Sequence, residues 1–193
     1  TKENTLLCGV TRLAEYPRVM HPLSIKMAWG GREVYRLRRR DVHVREGSYL
    51  VLNDGDEYGS TLKSERPATS FSIFLRRGLA AEIIAAQRLG LERSLERGVE
   101  KARASSTSTA FSPHLRGHDR HVAPRMRSIY ERVLAGERSQ AWLDEQAVLL
   151  VGDLVAAENE ALASTLRLPA TKASTRAELR YDVATRGGGS VRI

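Results

Sequence analysis

The hydrophobic periodicity of this chain changes once, near Gly78, and that change limits what it can fold into. Before it, apolar and polar residues alternate. Leu23, Ile25, Met27 and Trp29 interleave with Ser24, Lys26 and Ala28, the period-two pattern of a strand with one buried face. Gly30 and Gly31 supply a turn. Residues 33–37 and 42–44 read as short strands, Glu46-Gly47 marks the next turn, and residues 48–53 form a more continuously apolar strand. Asp54-Gly55 suits a tight reversal, because glycine accepts positive φ. Extended stretches are expected again over residues 58–62 and, after Pro67, through Phe71, Ile73 and Leu75. Several short strands joined by glycine-containing turns favour a small barrel or jelly roll over a βαβ sheet.

After Gly78 the spacing becomes helical. Leu79, Ile83, Ile84 and Leu91 define one helix reaching about residue 98, and residues 102–112 are small and polar, a connector. Val122, Met126, Ile129, Tyr130 and Val133 then form an apolar stripe that stops at Gly136. Ser139 is placed to cap a second helix whose stripe is Leu143, Ala147, Leu150, Leu154 and Ala157. A short connection makes two such helices antiparallel. Their stripes either cover the barrel or meet a second copy of the chain. The expected fold class is therefore α+β, a jelly-roll barrel followed by an antiparallel helical pair, divided as residues 1–78, 79–168 and 169–193.

With 193 residues and a single cysteine, Cys8, the chain must stand on its apolar core without an internal disulfide. Its start offers no signal-peptide pattern, and no apolar run approaches the roughly 20 residues a membrane helix needs. A cytoplasmic protein without membrane contact is the expectation. The formal charge of +8 makes contact with anions reasonable. Its arginines, however, are scattered (Arg36, Arg38, Arg39 and Arg40, then Arg116, Arg120, Arg125 and Arg127), and solvated surface is the simpler reading.

Catalytic and metal chemistry find little support. A metal-binding barrel needs converging imidazoles and a carboxylate. Where a His-x-His pair would follow Gly31, the chain carries Leu37, Arg38 and Arg39, and His43 stands alone. His114, His118 and His121 have the spacing of one helix face, but Pro113, Gly117 and Pro124 interrupt that helix, and Asp119 is expected to face elsewhere. No Gly-x-Ser-x-Gly elbow is present, and Gly187 to Gly189 lacks the partners of a phosphate loop. No metal, cofactor or enzymatic activity is expected. The remaining candidate is the barrel interior, where Trp29, Tyr35, Tyr49, Tyr58 and Phe71 are expected to enclose a small molecule.

Gly31-Arg32-Glu33-Val34-Tyr35, residues 49–58, and Pro67 followed by Ser70-Phe71-Ser72-Ile73-Phe74 resemble the cupin-type barrel that precedes the helix-turn-helix module in AraC-family transcription regulators. Residues 111–119 and 142–146 are similar to the helical region joining the two parts in that family, and residues 173–179 to the opening helix of its DNA-binding domain. Thr175 and Glu178 there have capping-box spacing. Beyond Leu179 the resemblance ends, and residues 180–193 offer no pair of helical stripes for a helix-turn-helix. The resemblance implies an effector-sensing and dimerising region, with DNA bound only through a complete C-terminal domain absent from this chain. The implied partners are a small-molecule effector and a second copy, with Leu143, Ala147, Leu150 and Leu154 as the dimer interface. The alternative is a cupin-like metabolite-binding protein or enzyme.

Overall fold

The computed structural model describes residues 2–38, 40–95, 111, 115–117 and 119–167. Seven strands form one antiparallel sheet: β1 (Thr5–Met20), β2 (Ser24–Trp29), β3 (Arg32–Arg36), β4 (Asp41–Arg45), β5 (Ser48–Leu52), β6 (Glu57–Phe74) and β7 (Leu115–Gly117). The order is β4-β3-β6-β2-β5-β7, with β1 on the other side of β6. Among the described residues three helices accompany the sheet: α1 (Leu79–Leu95), α2 (Val122–Leu134) and α3 (Gln140–Arg167). The α+β expectation, a barrel of strands followed by helices, holds.

The long strand β6 closes the barrel. Its first half pairs with β3 through residues 59–62 and its second half with β2 through residues 69–74. Along its other edge it pairs with β1 over nearly its whole length. The sequence suggests two separate strands here, broken at Pro67. The strand instead runs on, because Pro67 lies between Lys63 and Ala68, where the ladder with β1 skips register and no partner asks for its missing N–H. Gly31 sits against this corner. A Cβ there would lie 2.6 Å from the Ala68 side chain, which explains the small residue.

Two elements were not anticipated. β1 occupies a segment whose mixed charge gives no strand periodicity, and it is not a loose end. Asn4, buried ahead of it, donates to Asp144 of α3 at 2.8 Å and accepts from the Arg76 backbone N–H at 2.9 Å. β7 is three residues long and adds to the edge of β5. The segment 1–158 forms one compact unit. The remaining nine described residues, 159–167, are the last part of α3.

Both faces of the β2–β5–β6 region are buried, and this decides where the site is. On the outer face Ile25, Met27, Val51, Phe71 and Ile73 join Val122, Met126 and Ile129 of α2 and Ala147, Leu150, Val151 and Leu154 of α3 in one core. The inner face contributes Ala28, Leu50 and Leu52 to a second core with Tyr35, Val42, Val44 and Tyr58. The stripe Leu143, Ala147, Leu150 and Leu154 is thus buried within the chain itself, at 9% exposure or less. It covers the barrel and is not presented to solvent.

The expected connector over residues 102–112, apart from Phe111, and the capping box at Thr175 lie outside the described residues. Phe111 is held by a two-way clasp. Asn53 donates to its carbonyl at 2.8 Å and accepts from its N–H at 2.9 Å.

Candidate functional site in the barrel interior

Strand parity sends Ser24, Lys26 and Ala28 of β2 inward, opposite to Ile25 and Met27. From β6 the inward side chains are Tyr58, Ser60, Leu62, Ser70, Ser72 and Phe74, and from β3 they are Glu33 and Tyr35. The interior is therefore more polar than its apolar walls suggest. Glu33, 1% exposed, accepts hydrogen bonds from Ser60 Oγ at 2.6 Å and Ser70 Oγ at 2.7 Å. These two donors make burial of the carboxylate tolerable. Tyr35 lies beside Glu33 and Ser72, and burial raises its pKa well above the ordinary value, with Glu33 adding to the effect.

Lys26 is the unusual member. It is 2% exposed, and among the described residues its ammonium forms no ion pair. Nζ lies 3.6 Å from the centre of the Phe74 ring and 5.2 Å from that of Tyr58, contacts that soften desolvation without replacing hydrogen bonds. Burial lowers its pKa from 10.5 to about 7, against a weaker opposing pull from Glu33. Nearby, the Tyr58 hydroxyl and Ser24 Oγ approach each other, yet neither oxygen reaches a partner in good hydrogen-bond geometry. Burial raises the Tyr58 pKa. His21 stacks obliquely on Tyr58 and Phe74, with ring centres 5.0 and 5.3 Å apart. Its pKa is lowered first by burial and then by the charge of Lys26. One end of the barrel thus gathers a cation and two hydroxyls whose hydrogen-bonding capacity is unspent.

The five aromatics expected to share a pocket are divided between the two cores. Tyr35 and Tyr58 point inward, their ring centres 5.9 Å apart. Trp29, Tyr49 and Phe71 have the opposite parity and lie beneath the helices. Trp29 stacks on Tyr130 of α2 at 4.5 Å, and Phe71 meets Tyr130 edge-on at 5.4 Å. Alternation separates two faces but does not say which is inside when both are apolar. Lys26, Glu33 and the serines escaped notice because polar residues in alternating strands ordinarily mark the solvent side.

Tyr49 has a structural role instead. Its hydroxyl donates to Asp119 Oδ2, while Asp119 Oδ1 accepts from the backbone N–H groups of His121 at 2.8 Å and Val122 at 2.6 Å. Asp119 therefore caps α2 from three residues before Val122 and ties the cap to β5. On the neighbouring strand Arg116, cross-strand partner of Tyr49, pairs with Glu158 of α3. Asp119→Ala is expected to cost about 1–2 kcal/mol of stability in urea titrations; a loss under about 0.3 kcal/mol would contradict this capping role.

His43 is exposed on β4, and His114 and His118 lie outside the described residues. Among the described residues no group of three His, Cys, Asp or Glu is placed to hold a metal, and no helix is long and apolar enough to cross a membrane. Cys8 lines a separate cleft of about 540 Å³ between the start of β1 and the α2–α3 turn. Burial raises its thiol pKa against a weaker opposing pull from Arg138, which disfavours the nucleophilic thiolate.

No family model matches the sequence, and no curated protein matches it. Solved structures do. ToxT of Vibrio cholerae strain O395 is 11% identical, with a TM-score of 0.51 over 82% of this chain and 58% of that one. The apo K231A variant of ToxT from V. cholerae strain SCE256 gives 11% identity and a TM-score of 0.50 over 83% of this chain and 58% of that one. The chain shares the barrel-and-helices fold of these ToxT structures. It spans 58% of the length of these ToxT chains.

Proposed function

We propose that the chain is the effector-sensing region of an AraC-type transcription regulator, non-enzymatic, whose effector is a small apolar carboxylic acid. The observation that carries the reading is Lys26, a buried ammonium without an ion-pair partner among the described residues, beside the unsatisfied Tyr58 and Ser24 hydroxyls. A carboxylate entering there supplies the missing charge and accepts from both hydroxyls. Its apolar tail lies against Phe74, Leu50 and Leu52. The ToxT structure of strain O395 holds (E)-4-(8-methylnaphthalen-1-yl)but-3-enoic acid, a molecule of this class. Sensing further requires that the effector favour one of two arrangements of the protein.

The same reading includes a homodimer that brings two DNA-binding domains together. Since Leu143, Ala147, Leu150 and Leu154 are buried in the protomer, the surface left to α3 is the outward one, where Val148 and Leu149 are 44% and 41% exposed.

Calorimetric titration with the naphthyl butenoic acid below pH 7 tests the effector reading. Binding is expected for the native chain, with at least about a hundredfold loss in Lys26→Met, since that change removes a desolvated charge pair. Equal affinity in the two proteins would remove Lys26 from the site.

A further inference from the structure

The outer face of β4, β3 and the first half of β6 is uncovered, and its charges are unevenly arranged. At one end the cross-strand pair Arg36 and Asp41 lies beside Glu15 of β1, which accepts from Arg36 at 3.3 Å. That end is neutralised. At the other end Arg32 stands directly opposite Arg45. Lys63 follows Leu62, the β6 partner of Glu33, and so stands on the other side of Arg32. All three are exposed, and none forms an ion pair among the described residues. Glu46 and Glu65, close to Arg45 and Lys63 in sequence, pair with none of them, and Glu33, next to Arg32, is buried on the opposite face. Like charges directly opposite one another in a sheet are unfavourable, so this row opposes the fold unless an anion lies across it.

We propose that this sheet face binds the phosphate backbone of duplex DNA, with Arg32, Arg45 and Lys63 as its phosphate contacts. Adjacent strands lie about 4.8 Å apart, so the row spans three strands within the reach of extended side chains. Two of the three are arginines, whose planar fork matches phosphate oxygens. Between this row and the neutral end lies the row His43, Val34, Thr61 and Glu15, and Leu13 of the edge strand β1, 68% exposed, stands opposite Lys63. The exposed leucine is therefore at the edge of the face, on β1, and not at its centre, where a protein interface carries its apolar anchor. Such contacts position a protein on DNA without reading its sequence, and they need neither the effector nor the barrel interior.

The test is fluorescence anisotropy of a labelled random-sequence duplex with the full chain, over a range of salt. Two triple variants each remove three charges: Arg32→Thr/Arg45→Thr/Lys63→Thr on the face, and Lys2→Ala/Arg88→Ala/Arg127→Ala at exposed positions elsewhere. The face variant is expected to bind about tenfold or more weakly, and its salt slope to flatten by about 2–3, near 0.9 per lost contact. The control is expected to stay within about threefold of the native chain. Relief of the Arg32–Arg45 opposition should also raise the low-salt Tm of the face variant by about 1–4 °C, which shows that it folds. Equal weakening in both variants, or no binding by the native chain, overturns the proposal. Tighter binding to phosphatidylserine vesicles than to duplex, lost in the face variant, assigns the row to a lipid surface and overturns it as well. A Tm that does not rise removes the electrostatic conflict from which the argument starts.

Discussion

Leu150→Ala should lower the unfolding free energy by about 3 kcal/mol, because it empties a leucine-sized volume in a close-packed core. Leu150 is fully buried in the cluster that joins α2 and α3 to the outer face of the barrel. Leu150→Lys adds the desolvation of an ammonium with no nearby carboxylate in that cluster and should leave little folded protein. The sequence admits a different outcome, in which Leu150 belongs to a dimer interface and the lysine variant is a stable monomer. Urea titration together with light scattering separates the two. A lysine variant that is monomeric, cooperatively folded and as stable as the native chain would refute the packing. If a dimer uses the outward side of α3, the change that halves the mass without lowering protomer stability is Leu149→Glu, since Leu149 is 41% exposed.

The second large effect is a pH dependence centred on Lys26. In the unfolded chain its ammonium keeps its proton up to about 10.5, whereas burial brings the folded value to about 7. Between these values the unfolded state binds more protons, so stability rises with pH across this window, at up to about 1.4 kcal/mol per unit. Below pH 7 the desolvation penalty is present in full. The window has an upper limit: Tyr35, Tyr49 and Tyr58 all have raised values, so they favour the folded state less as the unfolded phenols ionise above about 10. Stability should therefore climb from pH 7 and turn over near pH 10. Lys26→Met should remove the climb and be the more stable protein at neutral pH, because an apolar side chain of similar length has no charge to desolvate. A native profile flat between pH 7 and 9 would show that Lys26 keeps its proton.

The groups facing Lys26 are Glu33, His21 and Tyr58, of which only Glu33 is a carboxyl group. A carboxylic-acid effector would supply a second. Binding should then draw a proton onto Lys26 when the pH lies above 7, so affinity falls as pH rises through that value. A structural lysine with no ligand contact would give the stability profile without the binding profile.

Periodicity in the sequence sufficed for the class of fold. Period-two alternation in residues 23–29, the glycine turns and the stripes ending at Gly136 and beginning after Ser139 are local consequences of backbone geometry, and each has its counterpart in β2, the hairpins, α2 and α3. Local pattern did not reveal β1, whose ordering comes from its ladder with β6 and from the Asn4 contacts. Nor did it reveal that β6 passes unbroken through Pro67. Both depend on partners distant in the chain.

The candidate site was legible in only two of its side chains, Tyr35 and Tyr58. A strand's alternation divides its residues into two sets but labels neither as the interior. In an ordinary two-layer protein the polar set faces water. Here the helices cover the outer face and the barrel closes over the inner one, so Trp29, Tyr49 and Phe71 go to the helices, while Lys26, Glu33 and four serines are sealed within. By itself the sequence determined the strands, the helices and the point at which one gives way to the other, because those are set by the spacing of neighbouring residues. Only the tertiary structure decided which face became the interior, because that depends on what is packed against each face.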